Sequence, residues 1–297
     1  MDHTPPKQNS RQWLAPDCKT QHNPPGLYLV ATPIGNLGDI TIRALDILEL
    51  ADTIVCEDKR VTSKLLTSYG LKKPLIPYHD HSTEKDRTHI IDLIKSGKII
   101  ALVSDAGMPM ISDPGYKLIQ SCLTENLHIT SLPGANAPLT ALQLSSLPSE
   151  NFTFIGFLPN KTSARKNALT HWQDSSATLI TFESPKRLTA SLKDILTTLG
   201  DRQIAVAREL TKLHEDIQRG KASTLITHYE NDPTPKGEIV LVIAPPETPA
   251  KPDQDTIKAE LNNALKTMKT KEASKTIAAK YNLNPAKTYD LALTLKK

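Results

Sequence analysis

The sequence predicts an α/β protein: two successive units of alternating strands and helices, followed by a small helical module. Three observations carry this. At 297 residues the chain exceeds the usual size of one domain. Short apolar runs recur between stretches whose apolar residues fall at helical spacing. Proline-bearing segments interrupt the alternation at 145–150 and 245–254. A composition of 38% hydrophobic and 23% charged residues is that of an ordinary soluble globular chain. No apolar run approaches the roughly 20 residues needed to cross a bilayer.

Residues 1–25 contain five prolines and no apolar signal core, and are expected to be a disordered leader. An N-terminal domain is expected over 26–147. Its first strand is 27–31, and 41–50 follows as a helix, with Ile42, Leu45 and Leu48 on one face. A strand at 53–56 leads to a helix over 61–69, stopped by Gly70. A third strand at 75–78 precedes a helix at 83–96 that starts on Ser/Thr and ends before Gly97. The run 99–104 is the most apolar and is expected at the sheet centre, where both faces are covered. A helix from 116, a strand at 128–132 and a helix after Asn136 complete the unit. Strands separated by helices imply a largely parallel sheet.

A second α/β domain is expected over 148–245. Its strands are read at 152–156, 177–183, 203–208 and 238–244, with a further one at 214–219, and its helices at 163–172, 186–199 and 222–229. A proline-rich linker, 246–255, then leads to a basic helical module, 256–297, with helices at 256–269, 271–280 and 284–295. Residues 251–297 hold ten lysines and five acids; against a net charge of +4 for the chain, this leaves the remainder at −1. A basic appendage on a near-neutral body suits a polyanionic partner, although a solvated lysine-rich helix has the same composition. Cys18, Cys56 and Cys122 are too few and too scattered for a disulfide framework and fit a reducing compartment. Cys56 ends an apolar run and reads as a small core residue.

Polar loops at the C-terminal ends of strands are where open α/β sheets hold ligands. TPIGNLGDIT (32–41) follows the first strand, with Gly35 and Gly38 allowing a close turn; taken alone it is also an ordinary turn. CEDKR (56–60) puts Glu57, Asp58 and Arg60 after a buried strand, as a reactive cluster or as a helix cap with an ion pair. SDAGMPMISDPG (104–115) packs two glycines, two prolines and two aspartates into twelve residues, more constraint than a simple connection requires. LPGANAP (132–138) is a fourth such loop. In the second domain FESPKR (182–187), ARELTK (207–212) and PKGE (235–238) each place an acid beside a base at a strand end. Singly these are surface ion pairs; three together suggest a shared polar cleft. There is no Walker lysine motif, no GxSxG and no His/Cys zinc spacing, and His79 and His81 read as exposed loop histidines, so no metal is expected.

In order and spacing TPIGNLGDIT, EDKR, SDAGMPMISDPG, ESPKR, ARELTK and KGE resemble the tetrapyrrole methylase superfamily, the class III methyltransferases, over about 26–244. Lys59, Met108, Ala135, Lys186 and Pro235 depart from that pattern, while the glycines and Asp58, Asp105 and Asp113 are kept. The nearest branch is the one that 2′-O-methylates a decoding-centre cytidine of bacterial 16S rRNA, and it too carries an extra C-terminal helical module. The resemblance implies a two-domain tetrapyrrole-methylase-like fold with S-adenosyl-L-methionine between the domains. The implied cofactor contacts are Pro33, Gly35, Asp105, Ala106, Gly107, Asp113, Pro114, Gly115, Ala135, Asn136, Leu210, Thr211, Lys236 and Gly237. Asp58 or Glu57 would accept the proton of the ribose hydroxyl, and Arg60 and Arg187 would hold phosphates. It further implies the small ribosomal subunit as partner, a cytoplasmic location and a homodimer. The competing readings are a sister methylase acting on a tetrapyrrole or protein side chain, and a non-catalytic rRNA-binding assembly factor.

Overall fold

The computed structural model describes residues 23–231, 235–247, 254–281 and 283–295. Most of the expected leader, with Cys18, and most of the expected linker lie outside them. The chain divides into two compact units, which meet in sequence at Pro245–Pro246.

The first unit holds two five-stranded sheets. In the first sheet, β1 (Gly26–Val30), β2 (Thr53–Cys56), β3 (Leu75–Pro77), β4 (Ile99–Val103) and β5 (Ile129–Leu132) run in the order β3-β2-β4-β1-β5. All pairings are parallel, and the expected central strand, β4, is central. Alternate residues feed opposite faces, as pleating requires. Tyr28, Val30, Ile54, Cys56, Ala101 and Val103 pack with α1 (Ile42–Leu50) and Leu66 of α2 (Lys59–Ser68). Leu27, Val55, Ile100 and Leu102 pack with α3 (Glu84–Lys95) and α4 (Tyr116–Thr124). Cys56 and Cys122 are both free and buried in these layers, and burial pushes the Cys122 thiol up to about 11.

The helix starts follow the capping chemistry of the sequence. Thr41 Oγ1 accepts from Ala44 N–H at 3.1 Å, and Asp58 accepts from Arg60 N–H at 2.8 Å. Thr83 and Asp86 form a reciprocal capping box at α3.

The second sheet comprises β6 (Phe152–Phe157), β7 (Thr178–Glu183), β8 (Gln203–Arg208), β9 (Asp216–Lys221) and β10 (Ile239–Ile243), in the order β6-β7-β10-β8-β9. It is mixed: only β6 and β7 are parallel, and β10 inserts antiparallel between β7 and β8. β8 and β9 form an antiparallel pair joined by residues 209–215, so the strand expected at 214–219 lies two residues later. The helix expected at 186–199 is a 3-10 turn, Pro185–Arg187, continued by α7 (Leu188–Leu199).

One face of this sheet is covered by α6 (Thr162–Thr170), α7 and α8 (Ala222–Asn231). The other face, Ile180, Ala205, Ala207, Val240 and Val242, packs on Ala141 and Leu142 of α5 (Ala137–Ser145) and on Ile34. Helix α5 follows β5 of the first sheet yet covers the second. It brings the strand ends of the two sheets together around Ile34.

The second unit is a three-helix cluster of α9 (Gln254–Leu265), α10 (Thr270–Tyr281) and α11 (Pro285–Leu295). Its core is Leu261, Ile277 and Ala292, flanked by Ile257, Ala264 and Leu291. A Lys280–Glu260 ion pair of 2.7 Å joins two of the helices. Among the described residues no helix is long and apolar enough to cross a membrane.

Candidate active site

The 104–115 loop is held by its neighbours rather than by length. Thr32 and Gly107 exchange backbone hydrogen bonds of 2.9 and 3.0 Å, and Thr32 Oγ1 donates to the Ser104 carbonyl at 3.2 Å. Met110, Ser112, Gly107 and Gly115 all have φ between 69° and 142°, so four of its twelve residues lie in the left-handed region. Two of the four are not glycine, and such backbone persists only where its surroundings over-determine it.

Beside this loop lies a cleft of about 360 Å³, within the roughly 300–1,000 Å³ of small-molecule sites. Its walls are Ile34, Ala106 and Ala137 on one side, with Phe157, Phe182, Glu183, Gly237, Glu238 and Val240 on the other. Phe157 is largely exposed and its ring centroid lies 5.1 Å from that of Phe182, the two rings tilted by 53°, giving an apolar wall. A Cβ at Gly107 would come within 3.3 Å of Ile34, a wall residue.

The acid–base pairs at the second sheet's strand ends do converge. Lys212 Nζ bonds Glu209 at 2.8 Å and Glu238 at 3.0 Å. Burial opposes the Lys212 charge, but the two carboxylates outweigh it and raise its pKa, while Lys212 lowers that of Glu209. Glu209 Oε1 also accepts the Glu238 N–H at 3.0 Å. Gly35 and Gly237 make this network possible by lacking side chains. A Cβ on Gly35 would stand 2.3 Å from Lys212 Cγ, and one on Gly237, whose φ is +95°, 2.2 Å from the Glu209 carboxylate. Glu209 and Thr211 themselves hold φ of 51° and 64°. Thr211 Oγ1 is buried with no hydrogen-bond partner among the described residues.

Glu183 is buried on the cleft wall, where its carboxylate accepts from Ser184 N–H, Ser191 Oγ and Arg187. Arg187 is fully engaged: it bonds Glu183 at 2.6 Å, Ser184 Oγ at 3.0 Å, the Leu158 carbonyl at 3.3 Å and Asn160.

At the other end of the 104–115 loop the carboxylates gather. Asp105 Oδ1 accepts the Asp58 N–H at 3.2 Å, joining the loops after β2 and β4. Asp58 caps α2 and bonds the Arg60 guanidinium at 2.7 Å, which holds its pKa down at about 2. Arg60 is otherwise open to solvent, its side chain 87% exposed. Glu57 is shifted upward by desolvation and by the charges of Asp105 and Asp80. Asp113 is half-buried, and desolvation, with Glu57 and Asp105 adding to it, pushes it up to about 6 despite a bond from Ser104.

Of the expected cofactor positions, Ala106 and Gly237 line the cleft directly. Pro33 and Gly35 flank the wall residue Ile34. Leu210 is buried in the same apolar cluster as Ile34, with Ala135 packed against it. Asn136 caps α5 and donates to Met108 Sδ at 3.4 Å. The Lys236 carbonyl accepts from Arg208 at 3.4 Å. Asp113, Pro114 and Gly115 line a separate cavity on the far side of the loop. Phe182 and Glu238 belong to FESPKR and PKGE, the motifs expected to share a cleft, whereas Phe157 was not expected at the site; it stands at the end of an apolar strand, where core and cleft residues look alike in sequence.

Two α/β sheets meet at a cleft with a strained polar loop on one wall, a ligand-binding architecture. The family described as Tetrapyrrole (Corrin/Porphyrin) Methylases matches residues 26–226, and the chain belongs to it. Among solved structures, a uroporphyrin-III-C-methyltransferase from Thermus thermophilus superposes with a TM-score of 0.53 at 19% identity, covering 73% of this chain and 93% of that one. Another, at a TM-score of 0.50 and 16% identity, covers 73% of this chain and 96% of its own; it was solved complexed with S-adenyl homocysteine. Within the family, the chain belongs with the proteins named Ribosomal RNA small subunit methyltransferase I. It is 48% identical over 272 residues to that of Erythrobacter litoralis, covering 92% of this chain and 96% of the relative. It is 44% identical over 251 residues to that of Mesorhizobium japonicum, covering 84% and 85%.

Proposed function

We propose that this protein transfers a methyl group from S-adenosyl-L-methionine to the ribose 2′-hydroxyl of a cytidine in the decoding centre of bacterial 16S rRNA. The observation that carries this reading is the cleft beside the 104–115 loop, with its apolar wall and Gly237 on its lining; the orphaned Thr211 hydroxyl follows Leu210, which packs in one cluster with the wall residue Ile34. Those features fit the cofactor: Phe157 and Val240 suit an adenine ring, and Thr211 Oγ1 suits a ribose hydroxyl. The carboxylate of Asp105 suits a cationic amino-acid end. When bound, the cofactor supplies an electrophilic methyl group on a positively charged sulfur.

The chain's own groups then position the acceptor and receive its proton. Of the two acids after β2, Glu57 suits that role better. Its raised pKa brings it toward working pH, whereas Asp58, at about 2 and bonded to Arg60, is a weak base. Arg60 is free to meet a phosphate, while Arg187 holds the cleft wall through Glu183. The relatives' name and the surplus of lysines over acids in 251–297 support a ribosomal RNA substrate.

Two measurements test the proposal. Calorimetry with S-adenosyl-L-methionine should give saturable one-site binding, and absence of binding would end the enzyme reading. Ribose-methylation mapping of small-subunit rRNA from cells with and without the protein should differ at one decoding-centre cytidine. A change at a base, or at another nucleotide, would overturn the assigned specificity.

A further inference from the structure

A second cavity, of about 260 Å³, lies on the other side of the 104–115 loop, between it and the loop after β3. It is built from residues that the cofactor cleft does not use. The YHDH run contributes His79 and Asp80, and the start of α4 contributes Tyr116 and Lys117, with Asp113 between them. Tyr116 is 65% exposed although it is the first residue of a helix, so its ring is available as a flat face. The opposite wall is preformed. His79 N–H donates to Ser82 Oγ at 2.9 Å, Ser82 N–H returns a bond to the His79 carbonyl at 2.8 Å, and the capping box of α3 follows at once. Asp80 and His79 of this cavity also act electrostatically on the Glu57 carboxyl, the proposed proton acceptor.

We propose that this cavity takes the base of a single unpaired ribonucleotide, stacked on Tyr116, with an exocyclic amino group donating to Asp80 and Asp113. The inference rests on the methyltransferase reading above and extends it to the acceptor side. Single-stranded RNA is read by splaying bases onto aromatic side chains and bonding their edges. Cytosine presents an amino donor next to a ring acceptor, whereas uracil presents a carbonyl at the amino position. Two carboxylates accept from the first and oppose the second. A tetrapyrrole bearing carboxylate side chains would meet like charge from Asp80, Asp113 and Glu57, so the same wall disfavours it. The nucleotide's phosphates remain outside, on the side of Lys117.

The test is calorimetric titration of the full-length protein with short single-stranded RNA carrying one cytidine, and with the same RNA carrying uridine instead. Wild type, Tyr116→Ala and Tyr116→Phe are compared, each also titrated with S-adenosyl-L-methionine. Stacking of one base predicts about tenfold weaker binding of the cytidine RNA by Tyr116→Ala, the equivalent of about 1.4 kcal/mol. Tyr116→Phe should retain wild-type affinity, and wild type should prefer cytidine over uridine. Affinity for S-adenosyl-L-methionine should be unchanged in both variants, which a merely structural role for Tyr116 would not predict. RNA binding by Tyr116→Ala within twofold of wild type, or equal binding of the two RNAs by wild type, overturns the proposal. Loss of S-adenosyl-L-methionine binding by wild type would instead remove the methyltransferase reading, and the RNA titrations would still decide the cavity.

Discussion

Neighbouring acids at this site acquire different chemistry from their surroundings. Asp58 and Glu57 are adjacent in sequence, yet one is held low by a guanidinium and the other pushed up by desolvation and like charges. Asp113 goes further, to about 6. A carboxyl with a higher pKa in the folded state than in the unfolded chain favours folding only while it is protonated. The contribution of Asp113 to stability should therefore fall as pH rises from about 4 to 6. Above that range Asp113→Asn should be the more stable protein, by on the order of 1–2 kcal/mol after allowance for its partial exposure. Thermal melts of both proteins at pH 4 and pH 7.5 check this: the difference should appear at the higher pH and vanish at the lower. Arg187 offers a second test at this scale. Its removal strands the buried Glu183 carboxylate, which should cost about 3 kcal/mol or more. Arg187→Ala should lower the melting temperature by roughly 6 °C or more. Arg60→Ala should leave it unchanged and weaken RNA binding only.

Elements were legible in the sequence wherever burial alternated cleanly. The five strands of the first sheet, the central position of β4 and the helix start at Thr83 could all be read from apolar runs and capping residues, whereas Thr41, expected as the first residue of its helix, is its cap. The second sheet was less legible. Its strands were recognisable, but nothing local in 238–244 signals that β10 inserts antiparallel between β7 and β8. Nor does the run after Asn136 reveal that α5 covers the second sheet, because an apolar helix face does not name its partner. The acid–base clusters of ARELTK and PKGE were visible as motifs, whereas their meeting through Lys212 depended on that long-range pairing. The meeting has a cost that can be measured. Gly237 combines a φ of +95° with a Cβ position already filled by the Glu209 carboxylate. Gly237→Ala must adopt strained backbone, worth roughly 1–3 kcal/mol, and also displace Glu209 from Lys212 and the Glu238 N–H. Calorimetry should find S-adenosyl-L-methionine bound at least tenfold more weakly, alongside a lower melting temperature. Wild-type affinity in this variant would mean that the Glu209–Lys212–Glu238 network does not shape the cleft.

At the scale of the whole molecule, cofactor chemistry and positive charge belong to different compact units. The cleft, the acidic strand ends and both sheets lie before Pro246, in a part of the chain whose net charge is close to zero. The helices after it have their own apolar core, and the segment that contains them, 251–297, holds a surplus of five lysines over acids. Each unit buries its own hydrophobic residues, so a chain ending at Pro245 should remain folded, with its affinity for S-adenosyl-L-methionine intact. Its RNA binding should not remain intact. Neutralising each phosphate of a single strand steepens the fall of log affinity with log salt by about 0.7. If the lysines of 251–297 meet even three phosphates, removing them should flatten that slope by roughly 2. The loss of affinity should then be large at low salt and small at high salt, where counterion release no longer favours binding. Filter binding of small-subunit rRNA across a salt series, for the full chain and the truncated one, measures both slopes. Parallel lines would show that the basic helices neutralise no phosphate, and the RNA contacts would then have to come from cations of the first unit, such as Lys117 at the acceptor cavity and the exposed Arg60.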